Sequence, residues 1–184
     1  MAKVFVFLAD GFEEIEGLTV VDLLRRARED VTTVSIMGRK EIHGAHNIDV
    51  VADALYENVD FSCGDMLVVP GGMPGTLHLG AYKALTDMIL EWNAKSKKIA
   101  AICAAPSIFG DLGILAGKEA VCYPGFEERL TGAVIGDGPV AVAGNITTSR
   151  GLGTAIEFSL ALISQLQDEK KAERIKNSII YGLF

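Results

Sequence analysis

Short, uninterrupted apolar runs, each broken off by glycine or proline and alternating with helical patterns, constrain this chain more than any other feature. Lys3 to Ala9 is the first of them. A strand with one wet face alternates polar and apolar residues, whereas a run apolar at nearly every position predicts a strand covered on both faces. Met66 to Val69, closed by Pro70-Gly71-Gly72, and Ile99 to Ile102 repeat the pattern. Val31 to Met37 is β-branched, and Val140 to Ala143 and Ile146 to Thr148 read as short strands. Glu14 to Arg28 reads as a helix on the spacing of Ile15, Leu18, Val21 and Leu24. Further helices are predicted over Leu85 to Ala94, from about Ala105, over Thr154 to Gln167 and over Lys170 to Ile180. Strands alternating with helices predict an α/β fold, a mostly parallel sheet with helices on both faces. Ligands bind such sheets beyond the carboxyl ends of the strands, so the residues just after strands are the ones to weigh. Three junctions stand out: Asp10-Gly11-Phe12-Glu13, Pro70-Gly71-Gly72 and Cys103-Ala104-Ala105.

A length of 184 residues with no linker, repeat or charged tail predicts one domain over 1–184. Apolar residues at 49% and charged ones at 22% are an ordinary globular balance. The formal charge of -7 lacks the positive field that nucleic acid or an anionic membrane calls for, which argues against both as partners. No run approaches the ~18 apolar residues of a transmembrane helix, and the six apolar residues before Asp10 are too short for a signal-peptide core. Cys63, Cys103 and Cys122 are odd in number without CxxC spacing, so reduced thiols and a cytoplasmic location are expected. The first strand–helix turn has no GxGxxG and sets carboxylates where a pyrophosphate would lie. Gly113 to Glu119 is one residue short of a phosphate loop, with Glu119 in place of the hydroxyl. Without HExxH, GxSxG or metal-ligand spacing, neither a metal nor a cofactor is expected.

Cys103 carries the clearest chemical signal. It ends an apolar strand, with Ala101 two residues before it, Ala105 two after and Pro106 three after. A nucleophile on a sharp strand-to-helix turn needs small neighbours at those two positions, because the backbone crowds there. Proline suits the first turn of a helix, where its missing N–H costs nothing. A helix N-terminus at this point is expected to favour the thiolate. Buried cysteine is otherwise a common small hydrophobe. The flanking residues separate Cys103 from that reading, and their absence leaves Cys63 and Cys122 as structural or incidental.

Glu13 and Glu14 fit the ordinary preference for acids in a first helical turn. Glu16 instead shares a face with Val20, Leu23, Leu24 and Ala27, which predicts a partly buried carboxyl with a raised pKa that can donate or accept a proton. If it meets Cys103 the two titrations couple, and the productive state is thiolate plus protonated acid. Gly71-Gly72 is either a simple glycine turn or, with the N–H of Ala104, an oxyanion hole in which Gly72 contributes the second donor. His43, His46 and His78 read as surface residues.

Four segments together resemble the ThiJ/PfpI superfamily over nearly the whole chain, particularly the branch of the Parkinson-disease-associated deglycase. They are Ala9-Asp10-Gly11-Phe12-Glu13-Glu14-Ile15-Glu16, Val68-Val69-Pro70-Gly71-Gly72, Ala100-Ala101-Ile102-Cys103-Ala104-Ala105-Pro106 and Thr148-Ser149-Arg150-Gly151. The resemblance implies a flavodoxin-like three-layer sandwich, often a homodimer, with Cys103 as nucleophile, Glu16 donating to its thiolate, and Gly72 and Ala104 as oxyanion donors. Arg26 matches an arginine that a neighbouring subunit brings toward the site. The implied activity is of glyoxalase or deglycase type, cofactor-free, on dicarbonyls or the early adducts they form with protein or nucleotide groups. A redox-sensing or chaperone-like stress protein using the same cysteine is the alternative. Many members carry a histidine where this chain has Tyr123, before Pro124. Tyrosine is a poor base near neutral pH, its unperturbed pKa being about 10, which weakens a peptidase or amidotransferase reading. Nothing supports a thiazole or phosphate substrate.

Overall fold

A computed structural model describes residues 1–182. Its centre is a seven-stranded sheet in the order β10-β11-β7-β6-β1-β2-β5. The strands are β1 (Lys3–Leu8), β2 (Asp30–Ser35), β5 (Ala54–Leu55), β6 (Met66–Val69), β7 (Lys98–Ile102), β10 (Val140–Ala143) and β11 (Ile146–Ser149). All neighbouring pairs are parallel except β10 with β11. Two further pairs lie outside this sheet: the antiparallel hairpin β3 (Glu41–His43) with β4 (Asp49–Val51), and the parallel pair β8 (Glu119–Ala120) with β9 (Val134–Ile135).

The apolar run at the start of the chain shows why the sheet is a sandwich filling. Side chains alternate across a strand. Val4, Val6 and Leu8 therefore pack with α1 (Glu14–Arg26), α5 (Ala155–Leu166) and α6 (Glu169–Ser178). Phe5, Phe7 and Ala9 face the other way, toward α2 (Gly75–Ala81), α3 (Lys83–Ala94) and α4 (Pro106–Asp111). Both faces are dry from Val4 onward, so every position from Val4 to Leu8 had to be apolar. This is the flavodoxin-like three-layer arrangement.

Helix α1 ends at Arg26, two residues before the sequence pattern predicts, where Arg28 takes a positive φ of 69°. Its buried face carries Glu16, Val20, Leu23, Leu24 and Ala27, as the carboxylate-bearing stripe predicts. Ile15 and Leu18, part of the apolar spacing that identifies the helix, lie outside that stripe and are 47% and 37% exposed. Hairpin β3–β4 has no strand signal in the sequence because its strands are three residues long and largely exposed. Register then sets the site. Val6 of β1 pairs with Val68 of β6, Val69 with Ala101 of β7, and Ile102 with Ser149 of β11. The segments leaving these four strands meet at one edge of the sheet.

Candidate active site

Cys103 sits where β7 stops, with φ of 66°. Left-handed backbone costs an L-residue roughly 1–2 kcal/mol. Two hydrogen bonds hold it: the Cys103 N–H donates to the Ser149 carbonyl at 3.0 Å, and the Tyr123 N–H donates to the Cys103 carbonyl at 2.8 Å. Ala101 and Ala105, the small neighbours that such a turn demands, are both fully buried. Pro106 opens α4 three residues on.

Glu16 reaches the same spot from the first turn of α1. Its Oε2 accepts the Gly71 N–H at 3.0 Å, and the Leu152 N–H and the Cys103 thiol act on the carboxyl from nearby. The residue is 1% exposed. Burial pushes its carboxyl up to about 7, against the pull of these hydrogen bonds and with the help of the neighbouring Glu13 charge. The backbone N–H groups of Ala104 and Gly72 lie near enough to the Cys103 sulfur to favour its anion. Burial first, and then the charge and hydrogen bond of Glu16, push the thiol up to about 12, while those two N–H groups pull it down. Burial and the Glu16 charge thus oppose the thiolate that the helix N-terminus is expected to favour. Two anions in contact at a dry site cannot both form readily, so the pair titrates as a unit.

Gly71 is the spacer between the two reactive groups. A Cβ there would lie 2.6 Å from the Cys103 Cβ and 2.7 Å from Glu16 Oε2. Its N–H is directed to Glu16, so the donors on the sulfur are Gly72 and Ala104. Gly72 holds φ of 90°, and a Cβ at that position would come within 2.2 Å of the Glu13 nitrogen. Only glycine fits at Gly72, while at Gly71 an added methyl would have to displace Cys103 and Glu16.

Arg26 is not brought to Cys103 within one chain. It lies in the last turn of α1, pairs with Asp22 at 2.6 Å and borders a surface cavity of about 560 Å³ between α1, Ile156 and residues 178–180. Of the histidines, His43 bonds Asp49 on the hairpin and His78 meets the Asp10 carbonyl. His46 does more than sit on the surface. Glu14, read from sequence as a helix-dipole residue, is 1% exposed and accepts the His46 N–H at 2.7 Å and its Nδ1 at 2.9 Å. This pins the β3–β4 hairpin over the start of α1. Cys63 is exposed and Cys122 buried. Sequence reasoning also missed Leu152 and the seating of Tyr123 beside Gly151, both of which depend on contacts across the fold.

Fold and site define a class: flavodoxin-like sandwiches with a cysteine on the turn after a central strand and a buried glutamate against it. The model of the DJ-1/PfpI family matches residues 2–165, and this chain belongs to that family. It is 38% identical over 180 residues to protein DJ-1 homolog B of Arabidopsis thaliana, which covers 97% of this chain and 41% of that protein. The chain thus spans less than half the length of that plant relative. It is 31% identical to protein dj-1beta of Drosophila melanogaster, with 95% of each chain covered. The solved structure of oxidized Toxoplasma gondii DJ-1 superposes with a TM-score of 0.95 at 37% identity, covering 99% of this chain and all of that one. Among the described residues no helix is long and apolar enough to cross a membrane.

Proposed function

We propose that this protein is a cysteine-dependent enzyme of the glyoxalase or deglycase type, acting without glutathione or a bound cofactor on reactive dicarbonyls or their early adducts on protein or nucleotide groups. The observation that carries the reading is the pair itself: a carboxyl held near pH 7 in hydrogen-bond contact with a cysteine whose sulfur faces two backbone donors. In the proposed sequence the Cys103 proton passes to Glu16 as the sulfur attacks the aldehyde carbon of a dicarbonyl such as methylglyoxal, giving a hemithioacetal. The N–H groups of Gly72 and Ala104 lie within reach of the oxygen that gains charge. Glu16 then moves a proton from the former aldehyde carbon to the adjacent one through an enediol, which leaves a thioester of a 2-hydroxy acid. Water hydrolyses that thioester, releasing lactate and restoring the thiol. An arginine such as Arg26 from a second copy of the chain is part of the proposal. The test is methylglyoxal consumption with lactate detection, without glutathione, for the wild type, Cys103→Ser and Glu16→Gln. Loss of turnover in both variants is expected. A folded, fully reduced wild type that makes no lactate sinks the reading.

The second reading is a redox-sensing stress protein, favoured by the oxidized state in which the Toxoplasma relative was solved. Under it, peroxide converts Cys103 to sulfenic and then sulfinic acid before it touches Cys63 or Cys122, and intact mass with peptide mapping reports the order. A peptidase or amidotransferase reading needs a base at the position that Tyr123 occupies, and tyrosine does not supply one.

A further inference from the structure

Tyr123 is unaccounted for by this chemistry, yet the fold places it carefully. The segment before it is pinned to β11 by the Val121 N–H, which bonds Thr148 Oγ1 at 2.9 Å, and Tyr123 itself is tied to the carbonyl of the nucleophile at 2.8 Å. Ala120, Val121 and Cys122 are all buried, and Tyr123 is the first residue of the segment to turn outward, 51% exposed. The point that a Cβ would occupy at Gly151 lies 3.3 Å from Tyr123 Cδ2 and 3.8 Å from Glu16 Oε1. Gly151 thus has both the ring and the carboxyl as neighbours. Leu152, the residue after Gly151, is also 51% exposed. A half-exposed aromatic ring that flanks Gly151, on a backbone tied to the nucleophile's own carbonyl, can offer a flat apolar wall to whatever the nucleophile attacks.

We infer that the Tyr123 ring is a specificity-determining wall, giving Cys103 a preference for carbonyl compounds with a planar aromatic substituent over those with a methyl group. The inference rests on the dicarbonyl reading for its substrate class, α-oxoaldehydes of the phenylglyoxal kind. Offset stacking of two aromatic rings favours the aryl compound by about twofold to tenfold beyond simple burial. The phenol oxygen has no part in this, so phenylalanine serves as well as tyrosine.

The test uses two covalent probes that need no turnover, chloromethyl phenyl ketone and chloroacetone. Each alkylates the Cys103 sulfur with loss of chloride, and adduct formation is followed by mass spectrometry against free cysteine as the reference thiol. The wild type and Tyr123→Phe are expected to exceed the aryl preference of free cysteine by about twofold to tenfold. Tyr123→Leu and Tyr123→Ala are expected to fall back to it, and unchanged circular dichroism shows that each variant is folded. A wild-type preference equal to that of free cysteine, or one that survives in both truncated variants, overturns the inference. The ratio of kcat/KM for phenylglyoxal to that for methylglyoxal is measured in the same four proteins and is expected to follow the same order. If neither dicarbonyl is turned over, the enzyme reading fails while the alkylation ratios still decide the role of the ring.

Discussion

Replacing Gly71 by alanine puts a single methyl group between the two groups that the chemistry needs in contact. Its Cβ would lie 2.6 Å from the Cys103 Cβ and 2.7 Å from Glu16 Oε2, where ordinary contact begins near 3.4 Å. Both must therefore give way, Cys103 by roughly 0.8 Å and Glu16 by roughly 0.7 Å, on the scale of a misplacement that costs a catalyst about a hundredfold. The fold should survive. Gly71 does not hold a positive φ, so the penalty is overpacking, about 1–3 kcal/mol. The expected result of Gly71→Ala is a cooperative urea transition at moderately lower midpoint together with lactate formation from methylglyoxal reduced by about two orders of magnitude. The control is Gly153→Ala, one residue beyond Leu152, where an added methyl meets nothing within 4 Å and turnover should be unchanged. If Gly71→Ala is folded and turns over at close to the wild-type rate, Gly71 is not the spacer that sets the Cys103–Glu16 contact, and the reasoning is wrong.

Glu16 makes the fold sensitive to pH in a calculable direction. Its carboxyl is raised from 4.5 to about 7 by burial, so its contribution is fully present below pH 4.5 and is lost as pH rises through about 7, a fall of about 3 kcal/mol. Urea unfolding across that window should show the fall in the wild type and a flatter profile in Glu16→Gln; parallel profiles would refute it. The hairpin latch has a window of its own. Glu14 is lowered from 4.5 by the His46 and backbone hydrogen bonds that outweigh burial, so its share is present above 4.5 and lost as pH falls through its folded value. His46 is raised from 6.5, chiefly by its hydrogen bond to Glu14, so its share is present below 6.5 and lost as pH rises through its folded value. Amide exchange at Ala45–Ile48 should be slowest between those limits and faster throughout in Glu14→Gln; equal exchange in the two proteins would count against the latch. In the core beneath α5, Phe158→Ala should cost about 3–5 kcal/mol, since the ring is fully buried among the β1, α1 and α5 side chains. A loss under 1 kcal/mol by urea unfolding would show that this layer is not close-packed.

The sheet was legible because buried parallel strands leave a mark that needs no partner to interpret. β6 is bounded by sequence at Met66–Val69 as the structure has it, and β7 differs by one residue at its start. What stayed hidden depends on contacts between distant segments. Glu14 looks like any first-turn acid until His46, 32 residues away, is folded against it. Gly71 and Gly72 look alike as a turn, yet one N–H goes to Glu16 and the other to the sulfur. Tyr123 can be known only as the residue at which many family members carry histidine until the ring is seen against Gly151.

The electrostatics of Cys103 turn on magnitude. A helix N-terminus is worth typically 0.3–1 kcal/mol to a charge, and α4 is only six residues long. Burial first, and the Glu16 charge second, push the thiol up from 9.0 to about 12. Both act against the dipole. Transfer of the sulfur proton to Glu16 escapes the second cause entirely, because the pair then carries one negative charge before and after, and the carboxylic acid becomes a donor to the thiolate. The N–H groups of Ala104 and Gly72 favour the same state by holding the anionic sulfur. The reactive form of the site is therefore reached by moving a proton inside the pair and not by losing one to water. For that the carboxyl must stay beside the sulfur and out of solvent, which is what the buried stripe of α1 and the missing side chain at Gly71 provide.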